Sequence, residues 1–357
     1  MNLVRVLSTY DVIVGTDLIS NLADLIRIKD YSKIFIITDQ KLDKLWLNKS
    51  QRLILFKAEK IVVGVGEKTK TIETVKKIWK DLLIKGCDRK SLIINLGGGV
   101  IGDMGGFAAS TFMRGVDFIQ IPTTLLAMVD ASVGGKVGID FAGVKNLIGS
   151  FKQPTSVICD VNFLQTLPDR EFVEGFGEII KHGLIASQNY FNLVTSKKPR
   201  EFSKEELIKI VLGSVKIKAK IVTKDEKEHG PRKLLNFGHT LGHAVEALSL
   251  ETKHPFLHGE AVSIGMVAEA KISRLIGYLS QKDLESIITV LTATGLPIKF
   301  PNFSISKIIE KINKDKKSEK GKIKWTLLKS IGSAIINQKV DEKIVTQALK
   351  QKYGFTN

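Results

Sequence analysis

The chain has 357 residues, 43% of them hydrophobic, and only eight prolines; this is enough for two domains with their own cores and excludes a disordered protein. The formal net charge is +17, but no basic run carries interleaved aromatics for stacking bases, so we expect no nucleic-acid partner and read the charge as a field that draws in an anionic substrate. No apolar run is long enough to span a bilayer, the start "MNLVRVLSTYDVIVG" alternates like a strand rather than a signal peptide, and the two cysteines, Cys87 and Cys159, sit in apolar contexts, which together predict a cytoplasmic protein without a membrane partner.

The first 160 residues alternate strands with helices. Strand-like runs are "VRVLS" (4–8), "YDVIVG" (10–15), "KIFIITD" (33–39), "RLILF" (52–56), "SLIINLGGG" (91–99), "FIQIPTT" (118–124) and "TSVICD" (155–160). Among the helical segments between them, "TIETVKKIWKDLLIKG" (71–86) has apolar residues three and four apart and a closing glycine. Buried strands alternating with helices predict an α/β domain built on a largely parallel sheet. From residue 161 the pattern turns helical, through "REFVEGFGEIIKHGLIAS", "KEELIKIVLGSVKIKAKIVTKD", "GHTLGHAVEAL", "HGEAVSIGMVAEAKISRLIG" and "QKDLESIITVLTATG". "GKIKWTLLKSIGSAII" (321–336) alternates around a glycine and predicts a hairpin. The expectation is a Rossmann-like α/β domain over 1–160, a mostly helical domain over 161–357, and a cleft between them as the ligand site.

Four stretches could carry chemistry. "NLGGGVIGD" (95–103) follows an apolar strand, and Gly97, Gly99 and Gly102 fit G-x-G-x-x-G, a turn that lets backbone amides at a helix start approach a pyrophosphate. The motif lies several strands in, so a dinucleotide domain here is a variant; the bland alternative is a tight strand-to-helix turn. "IPTTLLAMVDASVGGKVGID" (121–140) places Asp130 in an apolar stretch, where a carboxylate needs a partner or a task. It also places Lys136 after a glycine turn, and Thr123 and Thr124 where they could simply cap the next helix. "GVKNLIGSFKQP" (143–154) adds Lys145 and Asn146 in a loop. "EGFGEIIKHG" (174–183) sets Glu178 and Lys181 on one helical face, and its apolar surroundings favour a buried pair over a surface one.

Four of the six histidines fall within 239–258. His239 and His243 are four apart and share a helical face, as in H-E-x-x-H metal enzymes, but the glutamate of that motif is missing. A catalytic zinc takes three neutral-histidine or carboxylate ligands and keeps one position open. His239, His243, His254, His258, Glu178 and Glu260 are the candidates, and spacing alone does not choose among them.

Taken together, "GGGVIGDMGGFAAS", "PTTLLAMVDASVGGK", "GEIIKHG" and "LLNFGHTLGHAVE…LHGEAV" resemble the signatures of the 3-dehydroquinate synthase family, in the same order through most of the chain. The resemblance implies NAD and a divalent metal, zinc or cobalt, as cofactors. It implies that Asp39, Glu67 and Lys70 hold the adenosine part of NAD, that Gly97, Gly98, Gly99 and Asp103 take its pyrophosphate and ribose, and that Thr123, Thr124, Lys145 and Asn146 complete the nicotinamide end, beside Lys136. Glu178, His239 and His258 match the metal ligands. His243 then belongs to the substrate, with Asp130, Lys136, Lys181, Lys218, Arg232, Asn236 and Lys316. The resemblance also implies a homodimer in which Arg114 reaches the neighbouring subunit's site. One departure is Val144, where the family commonly has glycine directly before the Lys-Asn pair.

The implied reaction turns a phosphorylated sugar acid, 3-deoxy-D-arabino-heptulosonate 7-phosphate, into 3-dehydroquinate and phosphate. Alternatives are a sugar phosphate cyclase acting on sedoheptulose 7-phosphate or glucose 6-phosphate, and a metal-dependent polyol dehydrogenase of similar architecture.

Overall fold

A computed structural model describes residues 2–47, 58–315 and 323–350. The chain forms two compact units, Met1–Leu167 with Lys204–Thr223, and Pro168–Ser203 with Lys224–Asn357.

The first unit is built on a seven-stranded sheet. Its strands are β1 (Asn2–Val6), β2 (Tyr10–Gly15), β3 (Ile34–Asp39), β4 (Glu59–Val63), β5 (Leu92–Gly97) and β6 (Asp117–Pro122). After a separate hairpin of β7 (Lys136–Phe141) and β8 (Val144–Phe151) comes the seventh, β9 (Ser156–Asp160). The order across the sheet is β1-β2-β9-β6-β5-β3-β4. Among the described residues of this sheet, only the β1–β2 pair is antiparallel; the others run parallel. All six residues of β5 are buried, as a central strand covered on both faces requires. Cys87 and Cys159 are free and buried.

The helix Ile72–Ile84 starts where Thr71 Oγ1 accepts from Thr74 N at 3.3 Å and ends before Gly86, whose φ is +71°. Val75, Ile78 and Leu82 form its buried stripe. The chain runs from β3 outward to β4, then returns to the other side of β3 as β5 and continues to β6. Winding therefore reverses between β3 and β5, and in open α/β sheets ligands bind beyond the carboxyl ends of strands at such a reversal. This accounts for a glycine motif that follows β5 rather than the first strand.

One strand expectation, "RLILF" (52–56), lies outside the described residues, and two points differ from the fold. β4 went unread because "EKIVV" opens on two charges. Lys145 and Asn146 are not in a loop but begin β8; this hairpin was hidden because Phe141, Val144, Leu147 and Phe151 are apolar yet exposed, which erases the alternation that marks a half-buried strand.

In the second unit the helices include Asp169–Ala186, His239–Ser249, His258–Leu275, Gln281–Ala293 and Ile305–Asp315. The expected hairpin is β10 (Trp325–Ser330) with β11 (Ser333–Gln338), turned at Gly332 with φ +90°. Leu241, Ile272, Ile308, Trp325 and Leu327 share its core.

Candidate active site

In the first unit, expected cofactor residues gather at the carboxyl end of the sheet. Gly97 ends β5 and accepts from Thr123 N at 3.0 Å, tying the ends of β5 and β6 together. Gly98 precedes the helix Gly99–Thr111 and offers no side-chain cap. A Cβ there would sit 3.1 Å from Thr124 Cγ2. The helix thus opens on backbone amides alone, the arrangement that suits an anion. Thr124 Oγ1 accepts from Ala127 N at 3.2 Å, so this threonine does cap the helical segment that begins at Leu125.

Lys70 is 3% exposed, and its Nζ donates to Asp103 Oδ2 at 2.7 Å and to Asn146 Oδ1. Glu67 Oε1 lies 3.9 Å from Lys70 Nζ and 4.0 Å from Lys145 Nζ. Burial works to lower the Lys70 pKa, but Asp103 and Glu67 outweigh it and hold the ammonium above its ordinary value. Five of the expected residues, from three sequence regions, therefore form one charged cluster. Asp39 ends β3, where its Oδ1 accepts from Lys41 N at 2.8 Å and Leu42 N at 2.9 Å.

Asp130 has the partner its setting requires: Lys218 Nζ donates to Asp130 Oδ1 at 2.5 Å and to its carbonyl at 2.6 Å. Lys218 comes from the helix Lys204–Lys224, which groups with this unit. Lys136 opens β7 and is exposed. Arg114 is also exposed, in a left-handed conformation (φ +68°) directly after Met113 (φ +50°).

In the second unit, three helices bring together a carboxylate and two imidazoles. Glu178 is fully buried on Asp169–Ala186. His239 Nε2 lies 3.5 Å from its Oε1, and His258 Nε2 lies 3.7 Å from the same atom. Lys181 Nζ contacts Oε2. Glycines allow this approach. A Cβ on Gly259 would stand 1.9 Å from the Glu174 carbonyl, and one on Gly265 would stand 2.0 Å from the Gly238 carbonyl.

Burial would raise the Glu178 pKa, but Lys181, His239 and His258 hold the carboxyl well below its usual range. Burial, reinforced by Lys181, pushes His239 well down. For His258, burial is outweighed by Glu178 and Glu246, which lift it to about 10. Ligand-type atoms of Glu178, His239 and His258 all lie within 4.8 Å of one another. Both Glu178 oxygens are buried, Oε2 against the Lys181 ammonium and Oε1 facing the two imidazole Nε2 atoms. One carboxylate and two imidazoles suit zinc and also cobalt.

Two other metal candidates are accounted for differently. Glu260 accepts from Leu257 N at 2.8 Å and forms a two-pronged pair with Arg170 at 2.8 and 2.7 Å, so it caps its own helix. His254 is exposed and enters none of the metal-competent clusters among the described residues. His243 is exposed, its ring centroid 5.0 Å from that of His239 and 5.9 Å from that of His258.

Arg232 is buried and donates through Nη1 to the Glu226 carbonyl, while Asp225 Oδ2 accepts from its backbone N at 3.0 Å. Asn236 Nδ2 donates to Glu228 Oε1 at 2.7 Å. Lys316 lies outside the described residues.

Sequence reasoning missed the carboxylates behind this site. Glu246 accepts from His258 Nδ1 at 3.1 Å. Fully buried Glu269 accepts from Gly238 N at 2.7 Å and Leu241 N at 3.1 Å, where the His239 helix begins. A signal existed for Glu246: it follows His239 by seven residues, two turns along the same face.

The chain matches the family models "3-dehydroquinate synthase N-terminal" over residues 60–174 and "3-dehydroquinate synthase C-terminal" over residues 175–318. The chain belongs to the 3-dehydroquinate synthase family. It is 41% identical to the 3-dehydroquinate synthase of Alkaliphilus metalliredigens, over 91% of each chain. It is 43% identical to that of Pyrococcus furiosus, over 93% of this chain and 96% of the relative. A solved 2-epi-5-epi-valiolone synthase from Streptomyces hygroscopicus subsp. jinggangensis, with NAD+ and Zn2+ bound, superposes with a TM-score of 0.86. That protein is 27% identical, and the likeness covers 98% of this chain and 97% of that one. The 3-dehydroquinate synthase family is NAD- and metal-dependent, and both clusters described above fall within its matched span.

Proposed function

We propose that this enzyme converts 3-deoxy-D-arabino-heptulosonate 7-phosphate to 3-dehydroquinate and phosphate. The convergence of Glu178, His239 and His258 within the family's matched span carries the reading. Those three residues would hold the divalent metal. The Gly97–Gly99 turn with Asp39, Glu67, Lys70, Asp103, Thr123, Thr124, Lys145 and Asn146 would hold NAD. When bound, NAD supplies a reversible hydride acceptor at the substrate's C5 hydroxyl, and the metal supplies Lewis acidity to the oxygens around it.

The chain's own residues do the rest. The substrate carries a carboxylate and a phosphate, which Lys136, Lys181, Lys218, Arg232 and Lys316 meet with charge-assisted hydrogen bonds. The contacts of Lys218 with Asp130 and of Arg232 with the Glu226 carbonyl fix these cations in place, and a fixed pose matters when one site runs oxidation, elimination, reduction and aldol closure in turn. Asn236 contributes amide hydrogen bonds. Exposed His243, beside the metal set, handles the proton of the hydroxyl being oxidised.

The active form on this reading is a cytoplasmic homodimer to which Arg114 contributes across subunits. Its exposure and left-handed backbone support a residue presented outward. Likeness to the valiolone synthase favours a second reading, a cyclase for another sugar phosphate. Phosphate release measured separately with the heptulosonate phosphate and with sedoheptulose 7-phosphate tests the choice. Release from the first is expected; release from the second alone overturns the assignment.

A further inference from the structure

His239 and His258 both aim Nε2 at Glu178, but their opposite nitrogens are held differently. His239 Nδ1 lies 3.2 Å from the Phe237 carbonyl, and His258 Nδ1 lies 3.1 Å from Glu246 Oε2. A carbonyl is a neutral acceptor, whereas a carboxylate draws the Nδ1 proton more strongly and enriches the far side of the ring. Glu246 is 7% exposed, so water screens this contact little. It sits on the helix that carries His239 while gripping the histidine of the next helix. One carboxylate therefore links the two histidine-bearing helices.

We propose that Glu246 is a positioning residue of the metal centre: it fixes the tautomer of His258 that presents Nε2 to the metal and makes that ring the stronger nitrogen donor. This rests on the metal reading of Glu178, His239 and His258. A rival arrangement exists, since atoms of His243, Glu246 and His258 also lie within 4.8 Å of one another. There Glu246 would be a ligand itself. The placement of Glu178 favours the first arrangement: its Oε1 faces the Nε2 atoms of both His239 and His258, the nitrogens left over once Nδ1 of each ring is held by a carbonyl or by Glu246. In the first, Glu178 and Glu246 also place two negative charges around a divalent ion, one in contact with it and one behind a ring.

The test is zinc affinity of the full-length protein, measured by competition with a chromophoric chelator for the wild type, Glu246→Gln, Glu246→Ala and Glu178→Gln. Loss of an outer carboxylate weakens metal binding by ~10–100-fold. We expect Glu246→Gln to weaken zinc within that range and Glu246→Ala to weaken it more, since the glutamine oxygen still accepts from Nδ1. Metal-free Glu246→Gln should still unfold in one cooperative transition with wild-type circular dichroism, separating positioning from general damage. Unchanged zinc affinity in Glu246→Gln overturns the proposal. Abolished binding in both Glu246 variants with zinc retained in Glu178→Gln overturns it too, in favour of the rival ligand set. If the affinities follow the expected order but the wild type releases no phosphate from the heptulosonate phosphate, the proposed function fails and the role of Glu246 stands.

Discussion

Lys181 lies one turn beyond Glu178 on the same helix, its Nζ against Glu178 Oε2, and both side chains are closed off from water at 1% and 0% exposure. Without a metal, this ammonium is the principal permanent counter-charge to the carboxylate. Removing one partner of a buried pair typically costs about 3–5 kcal/mol because the other charge stays behind. Lys181→Met should therefore destabilise the metal-free protein by about 3 kcal/mol and the zinc-loaded protein by clearly less. Chemical denaturation with and without zinc checks this; an equal loss in both states would count against a cation at Glu178.

Lys70 organises the other cluster through Asp103, Asn146 and Glu67. Hydrogen bonds to charged groups are worth about 1.5–3 kcal/mol, which corresponds to roughly 10–100-fold in affinity. Lys70→Met should weaken NAD binding by that factor in calorimetry while leaving zinc affinity intact. A matching fall in zinc affinity would mean that the variant damages the fold as a whole.

His243 and His258 should separate cleanly. His243→Ala should retain zinc and lose at least ~10²-fold in turnover, the usual cost of a positioned acid–base group. His258→Ala should fail to hold zinc. Metal analysis of each purified variant decides, and zinc lost from His243→Ala or fully retained in His258→Ala reverses the assignment.

Burial pushes the Lys271 ammonium down to about 8 from 10.5. A base with a depressed folded pKa binds fewer protons folded than unfolded between those values, so stability rises with pH from about 8 to 10.5 and the cost is fully present below 8. Lys271→Met should exceed the wild type by about 2 kcal/mol at pH 7, an advantage that shrinks above pH 8 and is gone near pH 10.5. Urea unfolding at pH 7 and pH 10 checks the sign; a difference independent of pH would show that Lys271 keeps its charge.

Much of this was legible in residue order, because buried parallel strands and amphipathic helices imprint hydrophobic period directly. β5 and the helix Ile72–Ile84 are examples. The pairing of Glu178 with Lys181 was legible too, from three-residue spacing in an apolar helix. What stayed hidden depends on contacts between distant segments. Nothing local tells that Glu260 meets Arg170 ninety residues away, or that Glu246, though two turns from His239 on one face, turns toward His258. Nor does local pattern reveal that Lys218 returns to Asp130. The spacing of His239 and His243 suggested a shared metal, yet His258 is the histidine whose Nε2 joins His239 at Glu178.

The most direct test is phosphate release from 3-deoxy-D-arabino-heptulosonate 7-phosphate by the purified protein, with NAD and zinc supplied or withheld and the nicotinamide absorbance followed at the same time. The expected result is phosphate release that requires both NAD and metal, stops with a chelator, and leaves no net NADH. Net NADH accumulation without phosphate would contradict the assignment and indicate a dehydrogenase instead.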